Sequence, residues 1–173
     1  MTSDASIYPP VVYVDANFLI YLFYEGHNWQ ERARSWWFRL IAEGTVLAIS
    51  NLALDETWFS LVSCLYKKDN PNKQIHPKRL WWAACVQKYL TVLRNCHNFV
   101  TTYSRTGRIR LVGTKYETVE KAFNLMFSVP LMPRDAFHVA LLQQENIDAI
   151  LTIDPDFENV PDIKVYNWSQ KPT

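Results

Sequence analysis

A chain of 173 residues and 20.3 kDa sets one domain as the expectation, with room for a substantial core. Hydrophobic residues make up 49% of it, which excludes disorder beyond the ends, and a net charge of +1 argues against a strongly basic nucleic-acid binder while leaving room for one that works through bound cations. Cys64, Cys85 and Cys96 form no Cys-x-x-Cys pair and leave an odd one over, the pattern of buried free thiols in a reduced protein.

Residues 1–10 read as a polar, flexible tail with no basic segment and apolar core of the signal-peptide kind. No apolar run reaches the ~18 residues that a bilayer span needs. A cytoplasmic protein without membrane contact is expected.

Val11–Val14 is β-prone and ends at Asp15; residues 16–23 then look helical. In an open parallel sheet, ligands bind beyond the carboxyl ends of strands, which is where Asp15 falls. Asp15 or Asn17 can equally be a helix cap. A second helix covers 29–43, with Trp36, Trp37, Leu40 and Ile41 as its apolar stripe, and Gly44 stops it. Val46–Ile49 is the second strand and Ser50-Asn51 the cap of a helix over 52–66. Its apolar positions are Leu54, Trp58, Leu61, Val62 and Leu65. Glu56 lies in its first two turns, where the helix dipole alone favours a carboxylate.

Residues 67–77 are rich in turn formers and read as a loop. One helix is expected over 78–95, a polar connection over 101–108, a strand at 109–112 and a helix at 116–127. Pro133 and Asp135 suit the first turn of a mostly buried helix that runs out at 143–146. Ala149–Ile153 has the continuous apolar character of a strand buried on both faces, with Asp154 just beyond it. Lys164–Tyr166 closes the chain. Strands alternating with helices predict an α/β domain with a mainly parallel sheet covered on both faces.

Asp15, Glu56, Asp135 and Asp154 share a position beside a predicted strand end. Four carboxylates on one rim repel by about 4 kcal/mol per close pair at an effective dielectric near 20, unless cations sit among them. Hard divalent ions suit such oxygens, and they can orient a phosphodiester and activate a water.

Residues 11–20 (VVYVDANFLI), 49–56 (ISNLALDE), 134–140 (RDAFHVA) and 151–157 (LTIDPDF) resemble the four acidic motifs of the PIN-domain ribonucleases, in the family's order. The resemblance implies a three-layer α/β/α sandwich over 11–173 and Mg²⁺- or Mn²⁺-dependent cleavage of single-stranded RNA. It makes Asp15, Glu56, Asp135 and Asp154 the catalytic and metal-holding acids, with Asp156 a fifth, through water. Asn17 and Thr152 match polar positions that steady the acids. Asp55 departs from the small or apolar residue expected beside the glutamate, and Glu56 is taken as the inward member. Many relatives resemble the toxins of VapBC-type modules, each held inactive by a small antitoxin protein. A homodimer is also expected. The chain is long for that group, with the excess placed at 67–77 and 97–110. The alternative is a non-catalytic PIN-like module that binds RNA or protein.

His138 lies one turn after Asp135 and is read as a core or supporting histidine beside the acids. The Asp154-Pro155-Asp156 opening fails as a calcium loop, because Asn159 stands where glycine is needed. The doubled tryptophans, Trp36-Trp37 and Trp81-Trp82, are read as core or interface rather than base-stacking surfaces. Two basic groups, one around Lys67–Arg79 and one at Arg105, Arg108 and Arg110, suit RNA phosphates or solvated loops equally.

Overall fold

The computed structural model describes residues 7–72 and 79–172, with the side chains of residues 79–81 left out. Strands β1 (Val11–Val14), β2 (Val46–Ser50), β3 (Ile109–Val112), β4 (Ala149–Thr152) and β5 (Lys164–Asn167) form one sheet in the order β3-β2-β1-β4-β5. Every pair is parallel, with Val12 opposite Leu47 and Val14 opposite Leu151. The order reverses at β1, so the switch point lies between β1 and β4.

The helices are α1 (Ala16–Phe23), α2 (Gln30–Ala42), α3 (Asn51–Asp69), α4 (Arg79–Lys88), α5 (Leu90–Arg105), α6 (Tyr116–Ser128) and α7 (Pro133–Gln144). Strand periodicity sorts them into layers. Val12, Val14, Leu47, Ile49 and Leu151 face one way, onto a core shared with Phe18, Trp36, Trp37 and Val100 of α1, α2 and α5. Tyr13, Ala48 and Ile150 face the other way, onto Ala122 and Leu125 of α6 and Val139 to Leu142 of α7. The result is the expected three-layer α/β/α sandwich. A satellite cluster of Val62, Cys85 and Tyr89 holds α3, α4 and α5 together beside it.

Three expectations change. The helix read over 78–95 is two helices broken at Tyr89, and the second continues to Arg105, through most of the supposed connection 101–108. Thr101 is tolerated there because its hydroxyl donates to the His97 carbonyl, 2.9 Å away, and Gly107, at φ 73°, makes the turn into β3. The loop read over 67–77 begins later: 67–69 complete α3, 70–72 form a turn, and 73–77 lie outside the described residues. Of the tail read over 1–10, residues 7–10 are docked. Tyr8 is buried against Trp36 and Tyr166, and the Pro10 carbonyl accepts from Val46 N–H at 2.8 Å.

No helix among the described residues is long and apolar enough to cross a membrane.

Candidate active site

The site is built where β1 and β4 end and α1, α3 and α7 approach them. Asp15 follows β1 at the cap position of α1, yet its carboxylate makes no capping bond. It is 7% exposed. Oδ2 instead accepts from Thr152 Oγ1 at 2.6 Å and from Asn17 Nδ2 at 2.5 Å. Thr152 Oγ1 in turn accepts from Asn17 Nδ2 and from Asp154 N–H, at 2.8 and 3.0 Å. The amide orientation of Asn17 is set by Trp168, whose indole N–H donates to Asn17 Oδ1 at 2.8 Å. One buried network therefore ties the ends of β1, β4 and β5 to a single carboxylate. Burial pushes the Asp15 carboxyl upward and Glu56 adds to it, while His138 and the Thr152 hydroxyl pull the other way.

Glu56 turns inward from α3 and its neighbour Asp55 stays exposed. Glu56 Oε2 lies 3.3 Å from His138 Nε2. Its Oε1 lies 2.6 Å from Arg134 Nε, an ion pair whose angle misses hydrogen-bond geometry, so that buried oxygen keeps no directed donor. His138, on α7, is fully buried, and its Nδ1 sits 2.6 Å from the Tyr13 hydroxyl. Tyr13 donates to Ser50 Oγ at 2.7 Å, and Ser50 caps α3 by accepting from Ala53 N–H at 2.9 Å. With the tyrosine proton committed to Ser50, its oxygen accepts from Nδ1–H. Nε2 is then the nitrogen that faces Glu56, and it holds that carboxylate by donating to it whenever the ring carries a proton on both nitrogens.

Asp15, Glu56 and His138 each offer one ligand atom, all within 4.8 Å of one another. Asp135 stands in the first turn of α7, and its carboxyl is pushed up to about 6, by burial first and then by Asp154, Asp15 and Asp156, with His138 opposing. Asp154 Oδ1 accepts from Asp156 N–H at 3.0 Å, which closes the turn that opens the 3₁₀ segment Pro155–Asn159. Asp156 itself is exposed. The structure thus brings Asp15, Glu56 and His138 into one tight group, with Asp135 and Asp154 beside it and Asp156 at the rim.

A family model, the PIN domain, matches residues 12–163. The chain belongs to the PIN domain family. Ribonuclease VapC6 of Methanocaldococcus jannaschii is 22% identical over 157 residues, covering 91% of this chain and 97% of that one. Among solved structures, Mycobacterium tuberculosis VapC20, described as a Sarcin-Ricin loop cleaving toxin, is similar with a TM-score of 0.52 and 19% identity, over 85% of this chain and 92% of that one. A toxin–antitoxin complex from Klebsiella pneumoniae has a TM-score of 0.54 and 20% identity, over 91% and 97%.

Sequence reading of this PIN domain missed Arg134, Tyr13 and Trp168 as site residues. Arg134 was signalled only by its place beside Asp135. Tyr13 and Trp168 looked like core aromatics, and their hydroxyl and indole N–H acquire roles through partners distant in the chain.

Proposed function

We propose that this PIN domain is a Mg²⁺- or Mn²⁺-dependent endoribonuclease acting on single-stranded RNA, or on unpaired segments of structured RNA, in the cytoplasm. The observation that carries the reading is the group of Asp15, Glu56 and His138 at the switch point of a parallel sheet, with Asp135 close enough to Asp15 and Asp154 to feel their charge. The donor set fits a hard divalent ion: it is almost all carboxylate, and Asp135 is raised by burial first and by its acidic neighbours after it. Asp15, Glu56, Asp135 and Asp154 would hold the ion, with Asp156 reaching it through water. When bound, such an ion neutralises phosphodiester charge and makes water a better nucleophile.

The chain's own residues do the rest. Thr152 and Asn17 hold Asp15 in one orientation from two sides. His138, fixed by Tyr13, keeps Glu56 turned inward. Arg134 is exposed along most of its side chain, so it can leave Glu56 and meet a substrate phosphate. The reaction proposed is hydrolysis with no covalent enzyme intermediate.

A toxin of a toxin–antitoxin module, with a small antitoxin as partner, is the cellular setting this reading favours. Its support is the similarity to VapC6 and to the chains of the toxin–antitoxin structures. One observation favours a non-catalytic module instead: Arg134 already neutralises Glu56, as a bound cation would.

Incubation with labelled single-stranded RNA in Mg²⁺, Mn²⁺ or chelator separates the two. Metal-dependent cutting should fall by about 100-fold or more in Asp15→Asn, since a lost ligand costs at least what a lost supporting contact does. Absence of both cutting and metal binding in the wild type would leave the binding module standing.

A further inference from the structure

Beside the acids, two cavities of about 470 and 370 Å³ adjoin each other and share Trp58 and Trp82 as walls. The first is also lined by Glu56, Arg134, Phe59 and Asp55. The second continues over Leu90 and Leu93 to Arg94 and His97. Phe59 and Trp82 stack on each other, with ring centroids 5.3 Å apart and an interplanar angle of 18°. Trp58 and Phe59 are 38% and 48% exposed, although the spacing along α3 had read Trp58 as a core position. Trp58 nonetheless reaches the Cys96 thiol, a buried group pushed up to about 12 by its burial. Trp36 and Trp37, by contrast, are buried core residues, as their spacing suggested.

Rigid aromatic faces beside a phosphodiester site suit a flat, π-faced ligand, Arg94 at the far end suits a phosphate, and Arg134 does so once it leaves Glu56. A protein side chain would need the apolar face but not the run from Arg134 through to Arg94. We infer that the Trp58–Phe59–Trp82 groove is a base subsite. An unpaired nucleobase next to the scissile phosphate stacks on these rings, while the backbone passes Arg134 towards the acids. This inference rests on the nuclease reading and gives its substrate a footprint: the RNA must be unpaired beside the cut. The α4 helix, which supplies Trp82, is then part of the substrate surface.

The test measures binding of a short fluorescent single-stranded RNA to the full chain in chelator, so that nothing is cut. Trp82→Ala and Phe59→Ala should each weaken binding by about 10-fold, the scale of one lost base stack, with the salt dependence unchanged. Trp82→Phe keeps a ring and should stay within about 3-fold of wild type. RNA carrying a single abasic nucleotide beside the cut should bind wild type as weakly as intact RNA binds Trp82→Ala, an equivalence that loss of folding cannot produce. Phe59→Ala reads the same subsite from α3 should Trp82→Ala fail to fold. Unchanged affinity in both alanine variants, with metal-dependent cutting intact, overturns the groove and spares the nuclease. Wild type that neither binds nor cuts RNA overturns both. Unchanged RNA affinity with lost binding of a small protein partner reassigns the groove to that partner.

Discussion

At the scale of single residues, the site depends on buried polar groups that each have one partner to lose. The Tyr13 hydroxyl joins Ser50 Oγ to His138 Nδ1, and burial pushes its own ionisation far up, so it stays a neutral donor. Tyr13→Phe preserves the ring and removes the link, leaving the histidine nitrogen buried without a partner. A loss of about 2 kcal/mol is expected, which for a chain of this size lowers Tm by roughly 4–8 °C. Thermal melts check it, and an unchanged Tm would show that the relay holds nothing. Asp135 gives a pH prediction. Its folded pKa, about 6, lies above the ordinary carboxyl value, so the stability tied to it is full at low pH and is lost as pH rises through 6. Wild type in chelator should therefore lose stability between pH 5 and 7.5. Asp135→Asn, which cannot ionise, should lose less, by about 2 °C after allowance for solvent screening. Parallel slopes for the two proteins would remove Asp135 as the cause.

At the scale of elements, the sequence showed most where burial leaves no choice. β1, β2 and β4 are apolar on both faces, so their ends, and Asp15 and Asp154 beyond them, could be placed from the run of hydrophobic residues alone. The break at Tyr89 could not, since the residues on both sides of it favour helix and the satellite cluster under α4 is a tertiary fact. Arg134 and His138 meet Glu56 across 78 and 82 residues of chain, and no local pattern announces such a pairing. Helix α6 raises a different question. Its buried face, Thr118, Ala122 and Leu125, packs inward, while Tyr116, Phe123 and Phe127 stand 72%, 58% and 76% exposed along the other side, with Val119 between them. Monomers seldom leave an apolar stripe of that kind uncovered. We propose this stripe as the surface of the homodimer expected from the sequence, since one stripe laid against its own copy would make a closed, two-fold interface. Sedimentation of the wild type should give the mass of two chains, and Phe123→Lys with Phe127→Lys should give one. A dimer that persists in the double variant would place the interface elsewhere.

At the scale of the whole molecule, the acids come from four separated segments, and each sits on a different element of the same sandwich: the end of β1, the start of α3, the start of α7 and the turn after β4. Their repulsion is therefore a strain between elements, and it is relieved when the chain unfolds, when Asp135 takes up a proton or when a cation arrives. Binding that requires the folded arrangement stabilises it by mass action, by about 2.7 kcal/mol at a metal concentration 100 times Kd. For a chain of this length that is a rise in Tm of roughly 5–11 °C. The rise should appear with Mn²⁺ or Mg²⁺, grow with the logarithm of concentration, and vanish in Asp15→Asn. It should be larger at pH 7.5 than at pH 5, where protonated Asp135 no longer contributes its charge. Calorimetric melts over a metal titration at the two pH values measure all of this at once. A shift equal in Asp15→Asn and wild type would locate the ion away from the switch point, and with it the chemistry.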